Sequence, residues 1–151
     1  MADRGLLAKV QRWVNLSPAE RMLLTKACFL ILMIRFGLAL FPFFKLRRWV
    51  NAEPSKKRFV DAGMDVSKIR WAVQAASRYI PGSNLCLVQA FAGEILCKYF
   101  GIPANLRLGV LKGESHLFRA HAWLESGGQV ILDSSKNNDY IPLPSWENQK
   151  P

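Results

Sequence analysis

The stretch FRAHAWLESGGQVILD, Phe118 to Asp133, decides the fold. Apolar and other residues alternate on either side of Ser126, Gly127 and Gly128, the pattern of two antiparallel strands joined by a tight turn. A three-residue loop ending in a left-handed Gly128 sets Glu125 opposite Gln129, and so places His121 directly across from Asp133 on one sheet face. A two-residue loop would put them on opposite faces, and a bulge would shift the register again. Upstream, ANLRLGVL (residues 104–111) alternates Leu106, Leu108 and Val110 with other residues and supplies a further strand. An imidazole beside a carboxylate is two-thirds of a nucleophilic triad: a base, and the acceptor that fixes its tautomer. Taken singly, His121 also reads as a strand histidine packed beside Trp123, and Asp133 as a solvated acid at a hairpin end. His116 in the loop KGESH is a rival base, and Asp139 a rival acid.

The third member of such a triad is sought in PGSNLCLVQAFAGEIL, residues 81–96. Gly82 turns the chain and Ser83 or Asn84 can cap a helix. Val88, Phe91, Ala92, Ile95 and Tyr99 line one of its faces, and Gly101 and Pro103 end it. Cys86 then lies in the first turn, where the helix dipole and unpaired backbone N–H groups favour an anionic, nucleophilic sulfur. A cysteine in a helix is more often filler. Cys97, three turns along and out of disulfide reach, illustrates that role, and Cys28 reads as a small buried hydrophobe. Three cysteines without a secretory cleavage signal point to free thiols in a reducing compartment, by default the cytoplasm. Two histidines and three cysteines with no compact ligand spacing give no metal site.

The 151 residues suffice for one domain with a real core. Charge divides the chain unevenly: through Arg78 there are 15 Lys and Arg against 5 Asp and Glu, whereas the remainder has 6 of each. The basic first half is expected to meet something anionic, a lipid surface, an acidic peptide or a partner protein, and no nucleic-acid module is recognisable in it. It reads as helical. Leu6, Leu7, Val10, Trp13 and Val14 form a short amphipathic pattern. Ser17, Pro18 and Glu20 then make a helix start, with the serine as cap, the proline in the first helical position and the glutamate returning a hydrogen bond. The apolar run that follows reaches Pro42. Its core, Ala27 to Phe41, is about 22 Å long, short of the roughly 30 Å hydrocarbon layer, so a helix buried against the domain or a partner is expected, with shallow membrane attachment second. FKLRRWVNAEPSKKRF (44–59) reads as a connection with brief helical turns. Asp65 can cap a helix carrying Val66, Ile69, Val73, Ala76 and Ile80. The organisation is therefore α+β: a basic, apolar helical region over 1–80, then a nucleophile helix and a small antiparallel sheet over 81–151, packed together as one domain.

The residues SNLCLVQAFAGEILCKYFGIPANLRLGV, FRAHAWLE and VILD resemble the transglutaminase-like (papain-like) cysteine peptidases of lasso peptide biosynthesis, in their stand-alone form. The likeness is close over about residues 65–135. It implies that Cys86 is the nucleophile, His121 the base and Asp133 its orienter. It implies cleavage of the leader from a ribosomally made precursor peptide, with no metal or organic cofactor. Implied partners are a separate leader-recognition protein, an ATP-dependent macrolactam cyclase and an exporter.

Overall fold

The N-terminal helix begins where a serine, a proline and a glutamate demand it. In the computed structural model, which describes residues 11, 13–52, 63–80, 85–111, 120–133 and 140–143, α1 spans Pro18–Leu40. Ser17 Oγ accepts the Glu20 N–H and the Glu20 carboxylate accepts the Ser17 N–H, a complete capping box. Before it, Gln11, Trp13 and Val14 are helical. The rest of the expected first helix lies outside the described residues, as do Ser83, Asn84, His116 and Asp139.

The segment expected as a connection is a second helix, α2 (Phe43–Ala52). Phe43, Leu46, Arg47 and Val50 turn inward at helical spacing. The Phe43 ring meets Phe91 edge-on at 5.6 Å, Leu46 covers the bare Cα of Gly37, and Arg47 pairs with Glu94 at 3.4 Å. The basic residues between them had masked this apolar face. Helix α3 (Val66–Ser77) starts after Asp65, whose side chain bonds Ser67 Oγ instead of capping the backbone.

Helix α4 (Leu85–Tyr99) lies at the centre. Ala90, Phe91, Ala92, Leu96 and Cys97 are all buried, more than one face can supply, because α1 and α3 cover one side and the sheet another. The expected single apolar face is thus incomplete at one end: Tyr99 is exposed and holds the Lys26 ammonium over its ring at 4.3 Å.

Among the described residues the sheet has four antiparallel strands, β1 (Asn105–Leu111), β2 (Ala120–Ser126), β3 (Gln129–Leu132) and β4 (Tyr140–Pro142), in the order β3-β2-β1-β4. Helix and sheet meet where α4 has no side chain: a Cβ at Gly93 would come within 2.6 Å of Leu132 and 2.9 Å of Leu124. Glu94 pins the same junction, accepting the Leu106 N–H at 3.0 Å. Ser126, at the end of β2, donates to the Pro103 carbonyl just beyond the end of α4. Helix α4 and strand β2 therefore run in the same direction, and their first residues lie at one end of the molecule.

Candidate active site

The β2–β3 hairpin differs from the expected one in two ways that cancel. Its loop has two residues, Gly127 and Gly128, with φ of +58° and +79°, so Ser126 pairs with Gln129 and Glu125 with Val130. Positive φ at both positions is what a two-residue hairpin turn with the strands' own twist requires, and two glycines meet it without Cβ strain. That register alone would put His121 and Asp133 on opposite faces. The next pair is Leu124 with Leu132, however, which leaves Ile131 as an extra residue on β3. This bulge restores the parity. Asp133 then sits diagonally from His121 on the same face, one pair of positions away from the direct opposition expected.

Across that diagonal the side chains meet, His121 Nε2 to Asp133 Oδ1 at 2.5 Å. A carboxylate only accepts, so Nε2 carries the proton and Nδ1 is left as the basic nitrogen. His121 is 6% exposed. Its ring stacks on Tyr140, at 4.7 Å and 30°, and on Trp123, at 6.1 Å and 17°. The Trp123 ring lies over Gly109, directly opposite His121 on β1, where a Cβ would stand 2.7 Å from two ring carbons. Trp123 Nε1 donates to Glu125 at 2.7 Å, and Glu125 in turn pairs with Arg107 at 3.2 Å. One face of β2 is therefore a fixed row, His121, Trp123 and Glu125, whose last two members hold the first in orientation.

Cys86 occupies the first turn of α4 and is half-buried. It lies seven residues, about two helical turns or 10 Å, before the Gly93 contact, and His121 lies three strand residues, about 10 Å, before Leu124 in the same contact. Sulfur and imidazole are thus level at one end of the helix–sheet sandwich. They do not share a face: Leu124 and Leu132 point toward α4, whereas His121, Trp123 and Asp133 point the other way. Any approach between them runs around the end of the sheet, past the first residues of β2. The structure brings His121 and Asp133 together, and it places Cys86 at the same end without a hydrogen bond to either among the described residues.

The other two thiols differ from Cys86 in their setting. Burial first, and the Glu94 carboxylate second, push the Cys97 thiol up to about 12, and burial also raises that of Cys28. Sequence reading named Trp123 only as a neighbour and missed Tyr140. Tyr140 lies in a three-residue strand paired to the far edge of β1, too short to leave a periodic signal. Among the described residues no group of three His, Cys, Asp or Glu side chains gathers to hold a metal ion.

The family model of the transglutaminase-like superfamily matches residues 28–145, from the middle of α1 through β4, with Cys86, His121 and Asp133 inside it. No curated protein and no solved structure is significantly similar to the chain. With more than three quarters of its length matched, the chain belongs to the transglutaminase-like superfamily, a group mostly of cysteine-dependent enzymes that includes peptidases and acyltransferases.

Proposed function

We propose that the chain is a cysteine peptidase that removes the leader from a ribosomally made lasso peptide precursor, with Cys86 as nucleophile, His121 as base and Asp133 as the residue that orients it. The observation that carries the chemistry is the His121–Asp133 hydrogen bond at the end of the molecule where α4 presents Cys86. The substrate class rests on the likeness of the Cys86 helix and the AHAW and VILD strands to the lasso peptide leader peptidases.

In this mechanism Cys86 Sγ attacks the scissile carbonyl carbon while its proton passes to His121 Nδ1. Backbone N–H groups in the first turn of α4, that of Cys86 among them, receive the oxyanion. His121 then gives its proton to the departing amine, the C–N bond breaks, and the leader remains as a thioester on Cys86. Water, deprotonated by the same nitrogen, releases the leader acid and restores the thiol. Throughout, Asp133 keeps the proton on Nε2, which leaves Nδ1 as the nitrogen that takes and returns the proton. A separate leader-recognition protein presents the precursor, an ATP-dependent cyclase uses the freed amine, and an exporter follows.

The test is incubation with the precursor and the recognition protein, read by product mass. Scission at the leader–core junction that disappears in Cys86→Ala is expected. Cleavage that persists in Cys86→Ala overturns the assignment of the nucleophile. Transfer of the leader to an added amine with no hydrolysis would make the protein an acyltransferase. Precursor left intact although the recognition protein binds would make it a docking module.

A further inference from the structure

Helix α1 has two apolar faces and buries only one. Leu23, Ala27, Ile31 and Ile34 are at most 4% exposed in the core, while Phe29, Leu32, Met33, Phe36 and Leu40 are 55–70% exposed on the other side. A helix lying on a soluble domain ordinarily carries polar residues there. Helix α2 extends the same surface with a different chemistry. Its inward residues are fixed against Phe91, Gly37 and Glu94, which turns Phe44, Lys45, Arg48 and Trp49 outward. The Phe41 ring packs edge-on against Trp49 at 5.1 Å and joins the exposed end of α1 to the outer face of α2.

Charge selects the occupant. From Arg21 through Ala52 the sequence has six Lys and Arg and no Asp or Glu, and of the six Arg47 is taken up by Glu94. Large apolar side chains flanked by tryptophan and uniformly basic residues match the boundary of an anionic bilayer, where acyl chains receive the first group and lipid phosphates the second. The depth is limited by the other face. At 23 residues, α1 is about 34 Å long, sufficient to cross a hydrocarbon layer, so length does not exclude a span as the shorter apolar core had suggested. Crossing would instead strip Leu23, Ala27, Ile31 and Ile34 from the core they share with Ile69, Val73 and Phe91. A shallow seat leaves that core intact.

We propose that α1 and α2 seat the protein on the surface of an anionic lipid bilayer, with Phe36, Leu40, Phe44 and Trp49 entering the headgroup boundary and Lys45 and Arg48 against the lipid phosphates. Co-flotation with vesicles tests it, comparing pure phosphatidylcholine with an equimolar mixture of phosphatidylcholine and phosphatidylglycerol. The protein should float with the mixture and bind pure phosphatidylcholine at least tenfold more weakly. Lys45→Glu with Arg48→Glu should weaken binding to the mixture by about 30-fold or more, from roughly a factor of five for each basic residue near the surface. Phe36→Ser with Trp49→Ser should abolish flotation, and both double variants should keep the parent's melting temperature within a few degrees, since these side chains face outward. Cys86→Ala should float like the parent, so the lipid seat and the peptidase assignment fail independently. Protein left in the dense fraction with both vesicles, equal binding to both, or a dimer by light scattering that Phe36→Ser dissociates, would each overturn the proposal.

Discussion

Replacing Gly109 by alanine tests how rigidly the histidine shelf is built. The new Cβ would stand 2.7 Å from Cη2 and Cζ3 of Trp123 and 2.9 Å from the Ile141 carbonyl oxygen, against an ordinary contact of 3.4–4 Å. The indole must retreat by about 0.7 Å or more. It has little room, because it is 8% exposed, its Nε1 is tied to Glu125 and one side of it meets His121. The new Cβ's other obstacle, the Ile141 carbonyl, is backbone, which gives way only if β4 shifts on β1. Overpacking of this kind costs about 1–3 kcal/mol. Removing a glycine's freedom in the unfolded chain returns about 0.4–1 kcal/mol. A net loss of about 1–2 kcal/mol remains, or a fall in Tm of about 3–6 °C for a chain of this size. Any displacement of Trp123 is passed to the imidazole, so the proposed leader cleavage should slow by up to about 100-fold. Urea unfolding gives the first number, product masses over time the second, and near-ultraviolet circular dichroism reports the indole. Gly127→Ala is the control: nothing lies within 4 Å of its Cβ and only φ of +58° opposes it, so it should cost about 1 kcal/mol and leave activity intact. A Gly109→Ala protein as stable and as active as the parent would refute the shelf.

Other predictions concern the capping box and the buried thiol. Ser17→Ala should destabilise by about 1 kcal/mol in urea unfolding, through loss of the α1 cap. The Ser17 backbone N–H, with its hydroxyl second, holds the Glu20 carboxyl below its ordinary 4.5. The backbone share survives in Ser17→Ala; the hydroxyl's smaller share is present above 4.5 and is lost as pH falls through the folded value, so the parent's advantage over Ser17→Ala should shrink slightly in acid. For Cys97 the sign is opposite. With the folded thiol at about 12 and an ordinary value of 9.0, its contribution is complete below pH 9 and is lost as pH rises toward 12. Alkaline loss of stability should therefore be shallower in Cys97→Ala, and iodoacetamide should modify Cys97 last of the three cysteines unless the chain is unfolded.

Local signals were legible and long-range ones were not. Ser17, Pro18 and Glu20 carry the whole start of α1 within four residues, and the cysteine near the start of α4 follows from a turn, an apolar run and a terminating glycine. The partnership of His121 with Asp133 was also legible, although by a route the sequence could not reveal. The Gly127–Gly128 turn is shorter than expected and the bulge at Ile131 makes up the difference, and a bulge depends on packing across the sheet more than on local pattern. Helix α2 was hidden because Arg47 occupies an inward position and finds Glu94 there, an ion pair 47 residues apart in sequence. Tyr140 was hidden because three residues cannot display a period. Which imidazole nitrogen faces the acid became visible only with the two side chains in place.

The proposed chemistry requires that the His121 ring act on the Cys86 sulfur across the end of the sheet. The measurement is the rate at which iodoacetamide modifies each cysteine at neutral pH, followed by peptide mapping in the parent, in His121→Ala and in Asp133→Asn. Cys86 should be the fastest of the three in the parent, slow at least tenfold in His121→Ala and slow less in Asp133→Asn, with Cys28 and Cys97 unchanged. Equal Cys86 rates in the parent and in His121→Ala would show that ring and thiol do not communicate.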